Sequence, residues 1–312
     1  MPPTTDFRGV FPILATPFRD DESLDLESMR RLVAFMARIG VDGVTVLGVL
    51  GESNRMTDRD REQIVQTAVA AAPELPVIVG VSHPGTRATI DLGQMAQSLG
   101  AAAVMVAPSY EPIPGDDRVL DYFTRVAAGL DIPVVAQDHP ASTQVHMPIP
   151  LLLRLIEQVP TIACLKEEGV PTPSRVAALR RGMSGKREVP VLTGLGALYG
   201  LFDLEQGAAG FNTGFAFPEV LMAFVRAGNA GDWAAARDLY ARFLPLIVFE
   251  QQPGVAIRKE ILRRRGLIED AQVRHPGGGL AAEIADQLKR ILEWTLPDVD
   301  LTQPLDLAAP VA

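Results

Sequence analysis

Of the 29 basic residues in this chain of 312, only four are lysines, Lys166, Lys186, Lys259 and Lys289, and the other 25 are arginines. Arginine keeps its proton in proteins, so the few amines that can become neutral are the groups to locate first. Lys186 lies in the polar turn Ser184-Gly185-Lys186-Arg187-Glu188. Lys259 and Lys289 lie on amphipathic stretches beside other charges, where solvated faces are expected. Lys166 differs, because it ends the apolar run Ile162-Ala163-Cys164-Leu165-Lys166. Burying an ammonium on such a strand is costly unless it is paired or neutral. Apolar walls lower a lysine's pKa, and a neutral amine attacks a carbonyl to form an imine. The same position also suits a lysine at a strand's mouth, paired with Glu167 or Glu168.

Two further segments end apolar runs on groups able to hold a ligand. In Gly48-Val49-Leu50-Gly51-Glu52-Ser53 two glycines let the backbone come close to a small molecule, and the amides can hold a carboxylate; alone, the segment equally reads as an ordinary tight turn. In Val134-Val135-Ala136-Gln137-Asp138-His139-Pro140 polar residues abruptly end an apolar strand, although His139 alone reads more readily as a packed or solvated residue than as a catalyst. Four scattered histidines with no HExxH or CxxC predict neither a dedicated metal site nor a cofactor.

The elements that must position these groups follow from periodicity. Eight short apolar runs begin at Gly9, Gly43, Pro76, Ala101, Pro133, Ile162, Pro190 and Gly207. They are rich in Val, Ile, Leu and Ala without strict alternation, as strands buried on both faces of a parallel sheet read. Helix-period segments lie between them, among them Leu26 to Ile39 and the stretch after Thr57-Asp58-Arg59-Asp60, an N-cap with acid in the first turn. Eight strand–helix units in series predict an α/β fold, a closed (β/α)8 TIM barrel, rather than an open doubly wound sheet. No glycine-rich dinucleotide fingerprint follows the first strand. After residue 215 only helices are expected, which divides the chain into a barrel over 7–228, a C-terminal helical appendage over 229–296 and a loosely attached tail over 297–312.

Composition excludes other classes. At 47 % apolar and 21 % charged residues the chain can bury a large core, and its net charge of −9 argues against a nucleic-acid-binding face. No apolar run is long enough for a membrane span, and the start lacks the pattern of a signal peptide. The single cysteine, Cys164, can form no internal disulfide, so a cytoplasmic setting is expected.

Taken in order, Gly9…Ala15-Thr16-Pro17-Phe18, Gly48-x-x-Gly51-Glu52-Ser53, Leu165-Lys166-Glu167 and Gly207-Ala208-Ala209-Gly210 resemble the dihydrodipicolinate synthase/N-acetylneuraminate lyase family of class I aldolases, over roughly residues 7 to 295. The resemblance implies a barrel with a C-terminal helical domain, assembled as a homo-oligomer, commonly a dimer of dimers. It implies that Lys166 forms a Schiff base with pyruvate or another 2-oxo acid. Val49, Leu50, Gly51 and Glu52 would cradle that acid's carboxylate, Tyr110 would be contributed across a dimer interface, and Asn212 would lie near a backbone contact to the bound acid.

Departures from the family pattern matter as much. Gln137 replaces the proton-relaying tyrosine, Val49 and Leu50 replace two threonines, and Ser142 replaces the arginine that holds an aldehyde substrate's carboxylate in true dihydrodipicolinate synthases. An amide does not titrate, so Gln137 can orient a water but cannot shuttle protons. The expected activity is therefore that of a Schiff-base-forming lyase, aldolase or dehydratase on a 2-oxo acid other than the true synthase. Proton transfer would fall to Tyr110, Glu52, Asp138, His139 or, by preference, a water held by Gln137. The alternative is a non-catalytic relative that binds a small oxo acid.

Overall fold

The computed structural model describes residues 5–109, 115–252 and 254–307. Eight parallel strands run β1 (Gly9–Val10), β2 (Val44–Val46), β3 (Val77–Gly80), β4 (Ala103–Val106), β5 (Val134–Asp138), β6 (Ile162–Glu167), β7 (Val191–Thr193) and β8 (Gly210–Phe211). Their hydrogen-bonded order is β1-β8-β7-β6-β5-β4-β3-β2. Between β1 and β2 the contact continues through Asp42 N–H to Val10 O (3.1 Å), Thr45 N–H to Pro12 O (2.8 Å) and Leu14 N–H to Thr45 O (2.8 Å), so the sheet curls round on itself. Pro12 has no N–H to give, which is why the first apolar run, expected as one strand from Gly9 to Ala15, keeps only a two-residue ladder.

Alternation sorts the strand residues into two layers. Val44, Val46, Val77, Val79, Val104, Val106, Val134, Ala136 and Leu165 face outward and pack against the helices, where Leu26–Ile39 contributes Met29, Leu32, Val33 and Met36. Ile78, Ala103, Met105, Val135, Cys164 and Leu192 face inward and fill the barrel together with Phe7 and Phe11. One irregularity controls the phase. Val134 pairs with Ile162 but Val135 pairs with Cys164, so Ala163 is an extra residue in β6. Such a bulge re-aims everything beyond it. Here it puts Cys164 and Lys166 inside and Leu165 and Glu167 outside.

Beyond β8 the chain is helical, over Pro218–Ala230, Trp233–Phe249, Val255–Arg264 and Ala282–Thr295. These helices share a core with the barrel, since Val10 and Phe211 belong to the same apolar cluster as Phe217, Phe224, Phe243 and Ile257. Arg265, almost wholly buried between the Phe35 and Phe217 rings, donates to Ala216 O (2.7 Å) and pairs with Glu219 (2.5 Å). Past Leu296, in the segment expected to be loosely attached, Leu301, Leu305 and Leu307 lie against this cluster and Leu305 N–H bonds Glu219 (3.2 Å). No helix among the described residues is long and apolar enough to cross a membrane.

The seam between β1 and β8 depends on glycine. Gly210 has φ +140°, and a Cβ there would overlap the Gly9 backbone. Gly210→Ala is expected to cost about 2 kcal/mol or more, read as a lowered melting temperature. An unchanged melt would show that the seam has slack.

Candidate active site

Lys166 lies two residues beyond Cys164 on the inward face of β6, so its side chain stands above the barrel's packed interior at the C-terminal mouth. It is 2 % exposed. Its Nζ is 3.1 Å from Glu168 Oε2. Gln137, paired with Lys166 across β5 and β6, donates its Nε2 to the same oxygen at 2.7 Å. The other oxygen, Oε1, accepts the Leu195 N–H at 3.2 Å. Burial alone would raise the pKa of Glu168, but Lys166, His139 and the Gln137 hydrogen bond together outweigh it and hold the carboxyl below its usual range. Glu168 is therefore an ionised carboxylate at neutral pH. It also borders a cleft of about 400 Å³ that Asp138, Gln144, His146, Arg175 and Leu195 help to line.

Of the two partners open to Lys166 from sequence, Glu168 is the one that reaches it. Glu167 points outward, where Arg175 bridges Glu167 Oε1 (2.9 Å) and Asp138 Oδ2 (2.6 Å) and also donates to Met147 O (2.8 Å). Burial pushes Asp138 up to about 6 and Glu167 to about 7 despite the guanidinium. His139, whose pKa burial lowers, makes a 2.6 Å hydrogen bond through Nδ1 with Ser142 Oγ.

The Gly48–Glu52 turn lies at the end of β2, at the same mouth. It is built from two short 3-10 turns, Val49–Gly51 and Ser53–Arg55. Val49 is 54 % exposed, and Leu50 leans over Gly214, where a Cβ would overlap it. Among the described residues the amides of Val49 and Leu50 have no backbone acceptor. The Glu52 side chain turns away from the mouth, toward Arg55 and Lys259. Lys259, expected on a solvated face, is wholly buried, because its partner comes from the β2 turn and helical periodicity carries no sign of a contact so distant in the chain. Lys289 is on the surface, as expected of its position. Asn212, at the end of β8, is fully buried, with Nδ2 3.2 Å from Thr45 Oγ1 and N–H bonded to Thr193 O. Tyr110 lies outside the described residues. No group of three or more His, Cys, Asp or Glu among the described residues could hold a metal ion.

The barrel therefore brings together Lys166, Gln137 and Glu168, while the Val49–Gly51 turn and Asn212 follow the C-terminal ends of β2 and β8. Asp138, Glu52 and His139, weighed as proton carriers from sequence, are each engaged with other partners. Glu168 was weighed there only as an ion-pair partner. The adjacent glutamates were its one visible signal.

The family model described as the dihydrodipicolinate synthetase family matches residues 6–295, and the chain belongs to that family, whose members are lyases and dehydratases. It is 33 % identical over 279 residues, 88 % of this chain and 89 % of the relative, to an L-2-keto-3-deoxyarabonate dehydratase of Azospirillum brasilense. It is 30 % identical over 293 residues, 92 % and 95 % of the two chains, to a 4-hydroxy-tetrahydrodipicolinate synthase of Acidobacterium capsulatum. The crystal structure of a dihydrodipicolinate synthase from Rhodopseudomonas palustris superposes with a TM-score of 0.89 at 33 % identity, covering 93 % of this chain and 98 % of that one.

Space for the Glu168 carboxyl is left by Gly194, where a Cβ would overlap Glu168 Oε1. Gly194→Ala is expected to push the carboxyl off Lys166 Nζ in a crystal structure and, because a buried pair is then broken, to lower the melting temperature. An undisturbed Lys166–Glu168 pair in that variant would contradict the packing described.

Proposed function

We propose that this protein is a class I lyase that forms a Schiff base between Lys166 and a 2-oxo acid, and that it dehydrates a 2-oxo acid bearing a hydroxyl at C4. The observation that carries this reading is the 3.1 Å separation of Lys166 Nζ from a carboxylate that Gln137 and the Leu195 amide hold in place. Transfer of one proton from the ammonium to Glu168 leaves a neutral amine and a neutral acid. The amine attacks the keto carbon, its nitrogen passes one proton to the keto oxygen to give the carbinolamine, and Glu168 returns its proton to the same oxygen, which departs as water and leaves the iminium. The regenerated carboxylate then removes a proton from C3, and the electron pair moves into the iminium to give an enamine. The enamine expels the C4 hydroxyl, which takes the same proton from Glu168 and leaves as a second water. Hydrolysis of the unsaturated iminium frees the lysine.

Glu168 thus takes the place of the tyrosine that Gln137 displaces, and Gln137 serves as its anchor. Val49 and Leu50 offer backbone amides to the substrate carboxylate, and Asn212 braces β8 against β2. The dehydratase relative supports a C4 leaving group over condensation with an aldehyde. So does Ser142, which stands where the resemblance implies an arginine and is hydrogen-bonded to His139. On the same reading the enzyme is cytoplasmic and assembles with copies of itself as a dimer of dimers.

Borohydride reduction with pyruvate or a 2-oxo-3-deoxy sugar acid is expected to add the mass of the reduced adduct at Lys166, and Lys166→Ala to abolish both trapping and turnover. Turnover by Lys166→Ala would overturn the proposal. Glu168→Gln is expected to lower turnover of the sugar acid by about 10²–10⁴-fold, the usual contribution of a positioned acid–base group, while the folded state persists. Trapping by the wild type without turnover of any 2-oxo acid would favour a binding protein instead.

A further inference from the structure

Glu52 sits where the two 3-10 turns meet, at φ +57°, a left-handed conformation that a non-glycine residue adopts only when its surroundings hold it there. What holds it is the other end of the chain. Glu52 Oε1 is 2.5 Å from Lys259 Nζ, and Oε2 accepts from Arg55 Nη1 (2.8 Å) and from the Arg274 N–H (3.0 Å). Lys259, from the helix Val255–Arg264, also donates to Gln272 O (2.6 Å) and stands 4.4 Å above the Phe18 ring. Arg274 also lies 4.4 Å from the centroid of that ring and reaches Glu22 O, Arg55 O and Asp60. The turn is thus clasped from behind by the C-terminal helices, while the amides of Val49 and Leu50 on its front have no backbone acceptor among the described residues.

We infer that Lys259 is a positioning residue: by holding Glu52 in its left-handed corner it aims the Val49 and Leu50 amides at the substrate carboxylate, so that a residue of the helical region sets affinity for the charged end of the substrate. The inference rests on the Lys166 imine reading. A lysine that merely stabilised the fold would affect charged and uncharged ketones alike. One that aims carboxylate-binding amides affects only the charged one.

The charged groups facing Lys259 are Glu52 from the β2 turn, Arg55 beside it and Arg274 from the C-terminal segment, with Asp60 paired to Arg274. Burial foremost, and then the two arginines, outweigh Glu52 and bring the Lys259 pKa down to about 8. As pH rises through that value the amine loses its charge and with it the ion pair to Glu52. Preference for a carboxylate should therefore be full below pH 8 and decline above it, whereas an arginine at the position would keep its charge.

The test is half-saturation of the borohydride-trapped Lys166 imine, measured with pyruvate and with pyruvamide, the same ketone without the carboxylate charge. Comparing the two ketones cancels any effect common to imine formation with both. Lys259→Met is expected to raise the half-saturating pyruvate concentration about tenfold, the equivalent of about 1.4 kcal/mol, with pyruvamide unchanged. Lys259→Arg is expected to restore the preference and keep it level between pH 7 and 9, where that of the wild type falls. Equal weakening toward both ketones, no change toward either, or a level wild-type profile would overturn the inference. Should Lys259→Met fail to fold, the charge-matched double variant Glu52→Gln/Lys259→Met carries the same expectation and the same refutation. If the wild type traps neither ketone, the Lys166 reading has failed and this inference falls with it.

Discussion

The ion pair between Lys166 and Glu168 is the constraint around which the barrel's mouth is arranged. Neither charge is tolerable there alone, since removing one partner of a buried pair costs about 3–5 kcal/mol through the charge left behind. Each therefore needs the other, and the carboxylate needs more donors than one amine provides. Gln137 on β5 and the Leu195 amide after β7 supply them, and Gly194 leaves the space. A proton shared between two groups so enclosed can move from nitrogen to oxygen without either having to be stripped of water again.

The outward side of the same strands obeys a different balance. Asp138 and Glu167 share the single guanidinium of Arg175, so one cation serves two carboxylates and both are raised by burial. That cluster ties β5 and β6 to the helix Thr172–Met183. The separation is set by strand alternation: neighbouring residues on β5 and β6 face opposite ways, giving a reactive layer within and a bracing layer without.

The C-terminal helices contribute three buried cations from one short stretch, Arg258, Lys259 and Arg265, which meet Glu250, Glu52 and Glu219. Glu250 in turn accepts the Ala216 N–H beyond β8. Of these pairs Lys259–Glu52 joins a C-terminal helix to a barrel loop, and the other two brace the helices against one another. The loops so held, after β2 and after β8, border the opening above Lys166.

Much of this was legible in the residues. Parallel strands buried on both faces must be apolar throughout, so eight such runs alternating with helical periods announced the barrel. The oddity of Lys166 at the end of one run announced the site. The tight turn after β2 was legible through its glycines, but the fate of Glu52 was not, and Lys259 was misread as solvated. In both cases the partner lies at the far end of the chain, and local periodicity is blind to it.

The sequence by itself determined the fold class and singled out Lys166 as the one lysine ending an apolar strand, because each depends on residue type and on spacing within one element. Only the tertiary structure decided which way Lys166 points and which carboxylate meets it. The extra residue Ala163 shifts the phase of β6 by one, turning Lys166 inward and Glu167 outward, and the Gly194 backbone after β7 leaves room for Glu168 to fold back over the amine. Strand phase and free space are set by neighbouring strands, and no single run of residues contains them.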